Sequence, residues 1–322
     1  MLRVSNPPHT LEATFLQSGG VLVRNRLRAC VVSLFSLIVA TLFLTCEAVQ
    51  AADLKTRAAS DAPLTESTKS TDALPSHQVS KIPQANCKQA VYLTFDTGHM
   101  GIAPLVAEVL ARQQVRATFF MANEATRTGG ASLDDVWAPW WRERAQEGHA
   151  FGSHTFDHVY WQADLAQQKF KVKPSAGSKK GQSYVISAAQ YCQSLDQVAE
   201  RFTYMTGAQI SPIFRAAGGK TSPALLEAAK QCGYAHVGWS PHGFLGDELP
   251  SDRFPNKKLL DQALKNIKSG DILLAHLGIW SRQDPWAPAV LEPLIVGLKE
   301  RGFCFKTIDQ HPTYQKILSF KS

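Results

Sequence analysis

The chain has 322 residues, 44% of them hydrophobic, enough for one large domain with a sizeable core or two small ones. Its formal charge of +7 is spread along the chain, which speaks against nucleic-acid binding, as does the lack of any DNA- or RNA-binding motif. There is no internal repeat and no Gly-rich G-x-G-x-x-G loop, so repeat architectures and a dinucleotide site are set aside.

The N-terminus reads as an export signal. Arg24, Arg26 and Arg28 precede an apolar run over 29–44, and 49-VQA-51 follows as a cleavage motif. The run is short for a spanning helix. Residues 1–51 are therefore expected to be a cleaved signal peptide. An uncleaved anchor, the only expected membrane contact, is the alternative. The residues before Val21 are unusual for a signal and suggest a start codon placed too far upstream. Residues 52–86, rich in Ser, Thr, Ala, Pro and charge, have no apolar period and are expected to be a disordered linker. The folded domain is expected over 87–322. Export implies a periplasmic or secreted protein, where cysteines can oxidise. Cys87, Cys192, Cys232 and Cys304 permit three pairings, among which the sequence does not choose, and buried free thiols are the alternative.

From Cys87 onward strand and helix patterns alternate. Strands are expected at 90–95, 117–121, 149–153, 213–216, 236–240, 271–275 and 303–308. Ile102, Leu105, Val106, Val109 and Leu110 fall at helical spacing. Further helices are expected at 133–147, 188–205, 223–231, 257–268 and 287–301. This alternation predicts an α/β fold with right-handed crossovers, a distorted (β/α) barrel of about seven parallel strands. An open doubly wound sheet is the alternative. Residues 161–190 break the rhythm. Their core, 169-KFKVKPSAGSKKGQS-183, is basic with Pro and Gly and is expected to be a long surface loop, either shaping substrate access or a solvated insertion without a role.

Polar residues stand where strands give way to loops. Asp96 ends the apolar run 91-VYLTFD-96, a costly place for a carboxylate without a partner or a task. In 152-GSHTFDH-158, His154 and His158 are four apart, which on one helical turn puts both imidazoles on one face, able to hold one metal ion. Arg215 and His276 end two further strands. In β/α barrels that rim carries the active site. Singly, each residue has a plain reading as a satisfied core histidine, a structural ion pair or a cap. Five on one rim favour a site.

The order of these motifs resembles the NodB-homology polysaccharide deacetylases, carbohydrate esterase family four, over residues 88–310. The family's T-F-D-D is similar to Thr94-Phe95-Asp96-Thr97, and its H-[ST]-x-x-H is matched by His154-Thr155-Phe156-Asp157-His158. Its R-x-P-x-G is matched loosely by Arg215-Ala216-Ala217-Gly218-Gly219. Its tryptophan with a nearby acid resembles Trp239 with Asp247, and its L-x-H resembles Leu274-Ala275-His276. The resemblance implies a hydrolase that removes N-acetyl groups from an exported or cell-envelope polysaccharide, peptidoglycan or an exopolysaccharide. It implies a divalent metal, Zn2+ by preference, on His154 and His158, activating a water. Asp96 would be the general base, held ionised by Arg215, and His276 the acid for the departing amine. Gly218 would offer an N–H to the oxyanion, and Trp239 would wall the acetyl pocket, although core packing is its plain reading. Trp280, with Arg282 and Asp284, is a candidate glycan contact, whereas 137-WAPWW-141 is expected to pack on the barrel.

The chain departs from the family at Thr97, where the second, metal-binding Asp is usual. A hydroxyl is a poorer ligand for a divalent cation than a carboxylate. Water, His99 or no metal at all could follow. Thr97 is expected to weaken the metal site without abolishing the chemistry, and Thr97→Asp to tighten it. The alternatives to a metal-dependent deacetylase are a glycan-binding protein on a retired scaffold and a metal-free hydrolase of a small amide.

Overall fold

The computed structural model describes residues 87–319. The expectations for 1–51 and 52–86 lie outside these residues. In chain order the elements are β1 (Gln89–Asp96), α1 (Ala103–Arg112), β2 (Thr118–Met121), α2 (Ala138–Gln146), β3 (Ala150–Ser153), β4 (Val159–Leu165), β5 (Lys169–Pro174), β6 (Tyr184–Ser187) and α3 (Ala188–Thr206). They continue with β7 (Ile213–Phe214), α4 (Pro223–Gln231), β8 (Ala235–His236), α5 (Asn256–Asn266), β9 (Ile272–His276), α6 (Leu291–Glu300), β10 (Phe303–Phe305) and α7 (Pro312–Ser319). Among the described residues no helix is long and apolar enough to cross a membrane.

The seven expected strands are β1, β2, β3, β7, β8, β9 and β10, and they form one parallel sheet. β1 is buried from Val91 to Asp96, which is why it reads as a continuous apolar run rather than an alternating one. It pairs with β9 over 92–96 and with β2 over 94–96. From β2 the sheet runs through β3 and β7 to β8. The chain after β8 then bonds back to β9: Ser240 N–H donates to Ile272 O, Leu245 N–H to Leu274 O, and Leu274 N–H to Gly243 O. That return bends the open path into a distorted, partly closed barrel. The helices face it with apolar stripes. In α1, Val106, Val109 and Leu110 are buried, and burial of each contributes about 2 kcal/mol.

One expectation is corrected. Residues 169–183 are not a long loop, because β5 and β6 lie within and just after them. With β4 these form a three-stranded antiparallel sheet. In 169-KFKVKP-174 the lysines are exposed while Phe170 and Val172 are buried, the period-two pattern of a half-buried strand. The buried face packs with Tyr191 and Leu195 of α3 and Phe214 of β7. Ser187, the last residue of β6, then caps α3 through a reciprocal box with Gln190, and Gly207 closes that helix at φ 75°.

The cysteines pair Cys87–Cys304 and Cys192–Cys232. The first ties the entry of β1 to β10; the second ties α3 to the end of α4. Trp141 is buried in the main core beside Phe119 and Phe151, so the 137–141 segment packs on the barrel as expected.

Candidate active site

Parallel strands bring their C-terminal ends to one rim, and the polar residues gather there. Asp96 and His276 are register partners at the ends of β1 and β9, so their side chains leave the sheet on the same face. His154 follows β3 directly, and Arg215 follows β7. A cleft on this rim is lined by Asp96, Gly98, Glu124, His154, His158, Tyr160, Ser175, Gly218, Trp239, Glu248, Leu274, His276 and Ile279.

Arg215 is fully buried and fixes Asp96. Its Nη1 donates to Asp96 Oδ1 at 2.7 Å, its Nη2 to Thr94 Oγ1 at 2.8 Å, and its Nε to Val237 O at 3.1 Å. Its guanidinium also lies 4.3 Å from the Phe120 ring centre. Burial alone would raise the Asp96 carboxyl. The charges of Arg215, His154 and His276, with the Arg215 hydrogen bond, outweigh it and hold Asp96 below the usual carboxylate range.

His154 and His158 do meet, but not on a helical turn. The chain between them turns with Thr155 at φ 63° and His158 at φ 50°. A β-branched residue in the left-handed region is strained. Thr155 is held there by its Oγ1, which accepts from Val159 N–H at 2.7 Å. The turn sets the two Nε2 atoms 3.1 Å apart. His154 Nδ1 lies 2.8 Å from Arg215 O. A carbonyl only accepts, so Nδ1 carries a proton, and Nε2, which faces His158, is the ring nitrogen left to bind a metal. His158 Nδ1 is engaged by Ser175 Oγ at 2.5 Å. Two bonds of about 2.1 Å at a tetrahedral or square angle span about 3.0–3.4 Å, so this imidazole pair fits two positions of a metal's shell. Among the described residues no trio of His, Cys, Asp and Glu yet stands in ligating positions.

His276 is held by Asp247, whose Oδ2 accepts from His276 N–H at 2.7 Å while both carboxylate oxygens lie 3.2 Å from Nδ1. Burial would lower the imidazole. Asp247, by charge and hydrogen bond, and then Asp96 and Glu248 overcome it and push His276 up to about 9. It is therefore an imidazolium at neutral pH. Glu248 is raised, chiefly by burial. The Trp239 ring packs so closely on Gly219 that a Cβ there would fall 2.4 Å from it, and Gly218, at φ 60°, sits likewise against Tyr160.

The remaining expected residues lie elsewhere. Trp280 is 65% exposed and does not line this cleft; its ring stands edge-on to His99. His99 lines a separate small cavity with Arg282 and Asp284. Arg282 is buried and spent on Leu249 O, Phe254 O, Asn256 and Asp284. Four polar side chains of the cleft were not singled out by sequence: Glu124, Tyr160, Ser175 and Glu248. Glu124 had a signal, since it follows the end of β2 by three residues on the same rim. Tyr160 and Ser175 come from the sheet that composition disguised as a loop.

Comparison with known proteins agrees with this arrangement. The sequence profile described as polysaccharide deacetylase matches residues 84–237. The peptidoglycan-N-acetylmuramic acid deacetylase PdaA of Bacillus subtilis is 28% identical over 69% of this chain and 71% of its own length. The chitooligosaccharide deacetylase of Azorhizobium caulinodans is 28% identical over 69% of this chain and 93% of its own. Among solved structures, a family 4 acetyl xylan esterase from Clostridium thermocellum in complex with a cobalt ion shares the fold. It superposes at a TM-score of 0.52 and 21% identity, over 72% of this chain and 92% of that one. Over residues 84–237 the chain is similar to the polysaccharide deacetylases, carbohydrate esterase family four. It is thus a hydrolase of the polysaccharide deacetylase type.

Proposed function

We propose that the protein removes N-acetyl groups from an N-acetylated cell-envelope polysaccharide, peptidoglycan first and an exopolysaccharide second, as an exported, periplasmic or secreted enzyme. The observation that carries this reading is that neighbouring strands of the rim end in a carboxylate kept ionised and an imidazole kept protonated. Asp96, ionised against Arg215, stands beside the imidazole pair, while His276, protonated against Asp247, stands in register across from it. Two titratable groups whose surroundings push them in opposite directions make a base and an acid. The relatives named as acting on peptidoglycan and chitooligosaccharide point to the same bond.

His154 and His158 would hold a divalent cation, Zn2+ by preference, which when bound lowers the pKa of a water and polarises a carbonyl. The chain's own residues do the rest. Asp96, with Oδ2 3.4 Å from His154 Nε2, accepts the proton of the attacking water. Arg215 keeps that carboxylate in place and charged. The Gly218 N–H steadies the oxyanion. His276 passes its Nε2 proton to the amine as the C–N bond breaks, its Nδ1 side being held by Asp247. Trp239 forms the wall for the acetyl methyl, and Tyr160 closes the cleft from β4.

The test is release of acetate and new free amines from purified peptidoglycan and from N-acetylated oligosaccharides. His276→Gln should lose at least about 100-fold in kcat. Unchanged rates in His276→Gln would remove the acid, and binding without release in the unaltered protein would leave a glycan-binding scaffold.

A further inference from the structure

The residue that most needs explaining is Glu124. Its carboxylate sits beside the imidazole pair at only 19% side-chain exposure. One oxygen is anchored: Oε2 accepts from Thr97 Oγ1 at 2.7 Å and from Gly98 N–H at 2.7 Å. The other, Oε1, makes no hydrogen bond among the described residues and lies 3.7 Å from His158 Nδ1, not from the Nε2 that faces His154, so the side chain must turn toward the Nε2 pair to reach an ion held there. No Lys or Arg of the described residues pairs with it. Two other carboxylates at this rim are already matched, Asp96 by Arg215 and Asp247 by the His276 imidazolium. Glu124 is thus an anion without a Lys or Arg partner, next to two imidazoles. A largely buried carboxylate without a cation is costly.

Thr97 explains how it came to be there. Its hydroxyl is used up, donating to Glu124 and accepting from Ala122 N–H at 3.2 Å. It is therefore spent as a bracket for a carboxylate arriving from the neighbouring strand. An Asp at 97 would set two carboxylates within hydrogen-bond contact of each other, where both cannot stay charged without a cation. Thr97 and Glu124 are alternatives to the more usual Asp, not two independent residues.

We propose that Glu124 supplies the carboxylate ligand of the metal site, replacing from β2 the one the family carries at the position of Thr97, with Oε1 as the donor atom. The inference rests on the two-histidine metal site proposed above. The carboxylate has changed strand but not rim, so the site keeps two imidazoles and one anion, a donor set suited to zinc.

The experiment is calorimetric titration of Zn2+ into the chelator-stripped protein, comparing the unaltered chain, Glu124→Gln and the swap Thr97→Asp/Glu124→Gln. One ion per chain is expected, with affinity about 100-fold weaker in Glu124→Gln and restored to within about tenfold in the swap. Equal affinity in Glu124→Gln, or no binding by the unaltered chain, overturns the proposal. Should Glu124→Gln fail to fold, a zinc-soaked crystal of the unaltered chain decides. Oε1 at about 2.1 Å from the ion supports the assignment, and an ion held without Glu124 refutes it. Acetate release measured on the same samples separates the two readings. Release without bound metal would refute this ligand while leaving the deacetylase standing. Metal bound through Glu124 without release would do the reverse.

Discussion

Asp247→Asn isolates what keeps His276 protonated, on which its proposed role as the acid depends. Asp247 touches that residue three times, accepting from its backbone N–H at 2.7 Å and lying 3.2 Å from Nδ1 with each oxygen. Asn keeps the shape and can still accept, but it removes the charge. His276 is pushed up to about 9, with burial opposing and Asp247 the chief cause of the rise. Without that charge the imidazole should fall by about two pH units toward its ordinary value near 6.5, a change of about 3 kcal/mol. The sign is definite, because removing an anion disfavours the imidazolium. In a pH profile of kcat/KM for acetate release, the unaltered enzyme should hold its rate up to about pH 9 and decline above it. The variant's basic limb should move to about pH 7. At pH 8 it should be about tenfold slower, and near pH 6 almost unchanged. The same shift carries stability. A raised imidazole stabilises the fold fully below about pH 6.5 and loses that contribution as the pH rises through about 9. The stability gap between variant and parent should therefore close in alkali. A basic limb that stays in place in Asp247→Asn would show that His276 is not the group titrating, and the assignment of the acid would fall.

Arg215→Met should destabilise the domain by about 4 kcal/mol in chemical denaturation at pH 7, because it leaves a buried carboxylate unpaired. Asp96 is held below the carboxylate range, so the gap should be full at pH 6–8 and shrink only as acid protonates Asp96 below about pH 4. Gly98→Ala should fold poorly, since its Cβ would fall 2.1 Å from the Gly278 carbonyl at a φ of 63°; a melting temperature within a degree of the parent would contradict the close approach. Removing Cys192–Cys232 as a double serine variant opens a loop spanning 40 positions. That should cost about 3–4 kcal/mol and lower the melting temperature by about 10 °C.

The parallel sheet was legible because its strands are buried on both faces and read as short apolar runs between amphipathic helices. Asp96, Arg215 and His276 were legible because polar groups at strand ends stand out against those runs. His154 and His158 were legible as a pair, but the helical turn expected of their spacing is a strained left-handed turn at Thr155, which no periodicity announces. The β4–β5–β6 sheet was missed because lysines dominate its composition, although Phe170 and Val172 alternate beneath them. Glu124 was missed because it becomes meaningful only through Thr97, twenty-seven positions away and adjacent across β1 and β2. Trp280 attracted notice for following His276, yet the loop turns its ring outward, toward His99 and solvent.

The central claim is that this rim hydrolyses an acetamide with Asp96 as base. The most direct measurement is acetate release from N-acetylated peptidoglycan by the unaltered protein and by Asp96→Asn, at equal protein and with zinc supplied. The account predicts steady release with matching free amines in the first, and a fall of at least about 1,000-fold in the second with glycan binding retained. Equal release by both, or none by the unaltered protein on any N-acetylated glycan, would contradict it.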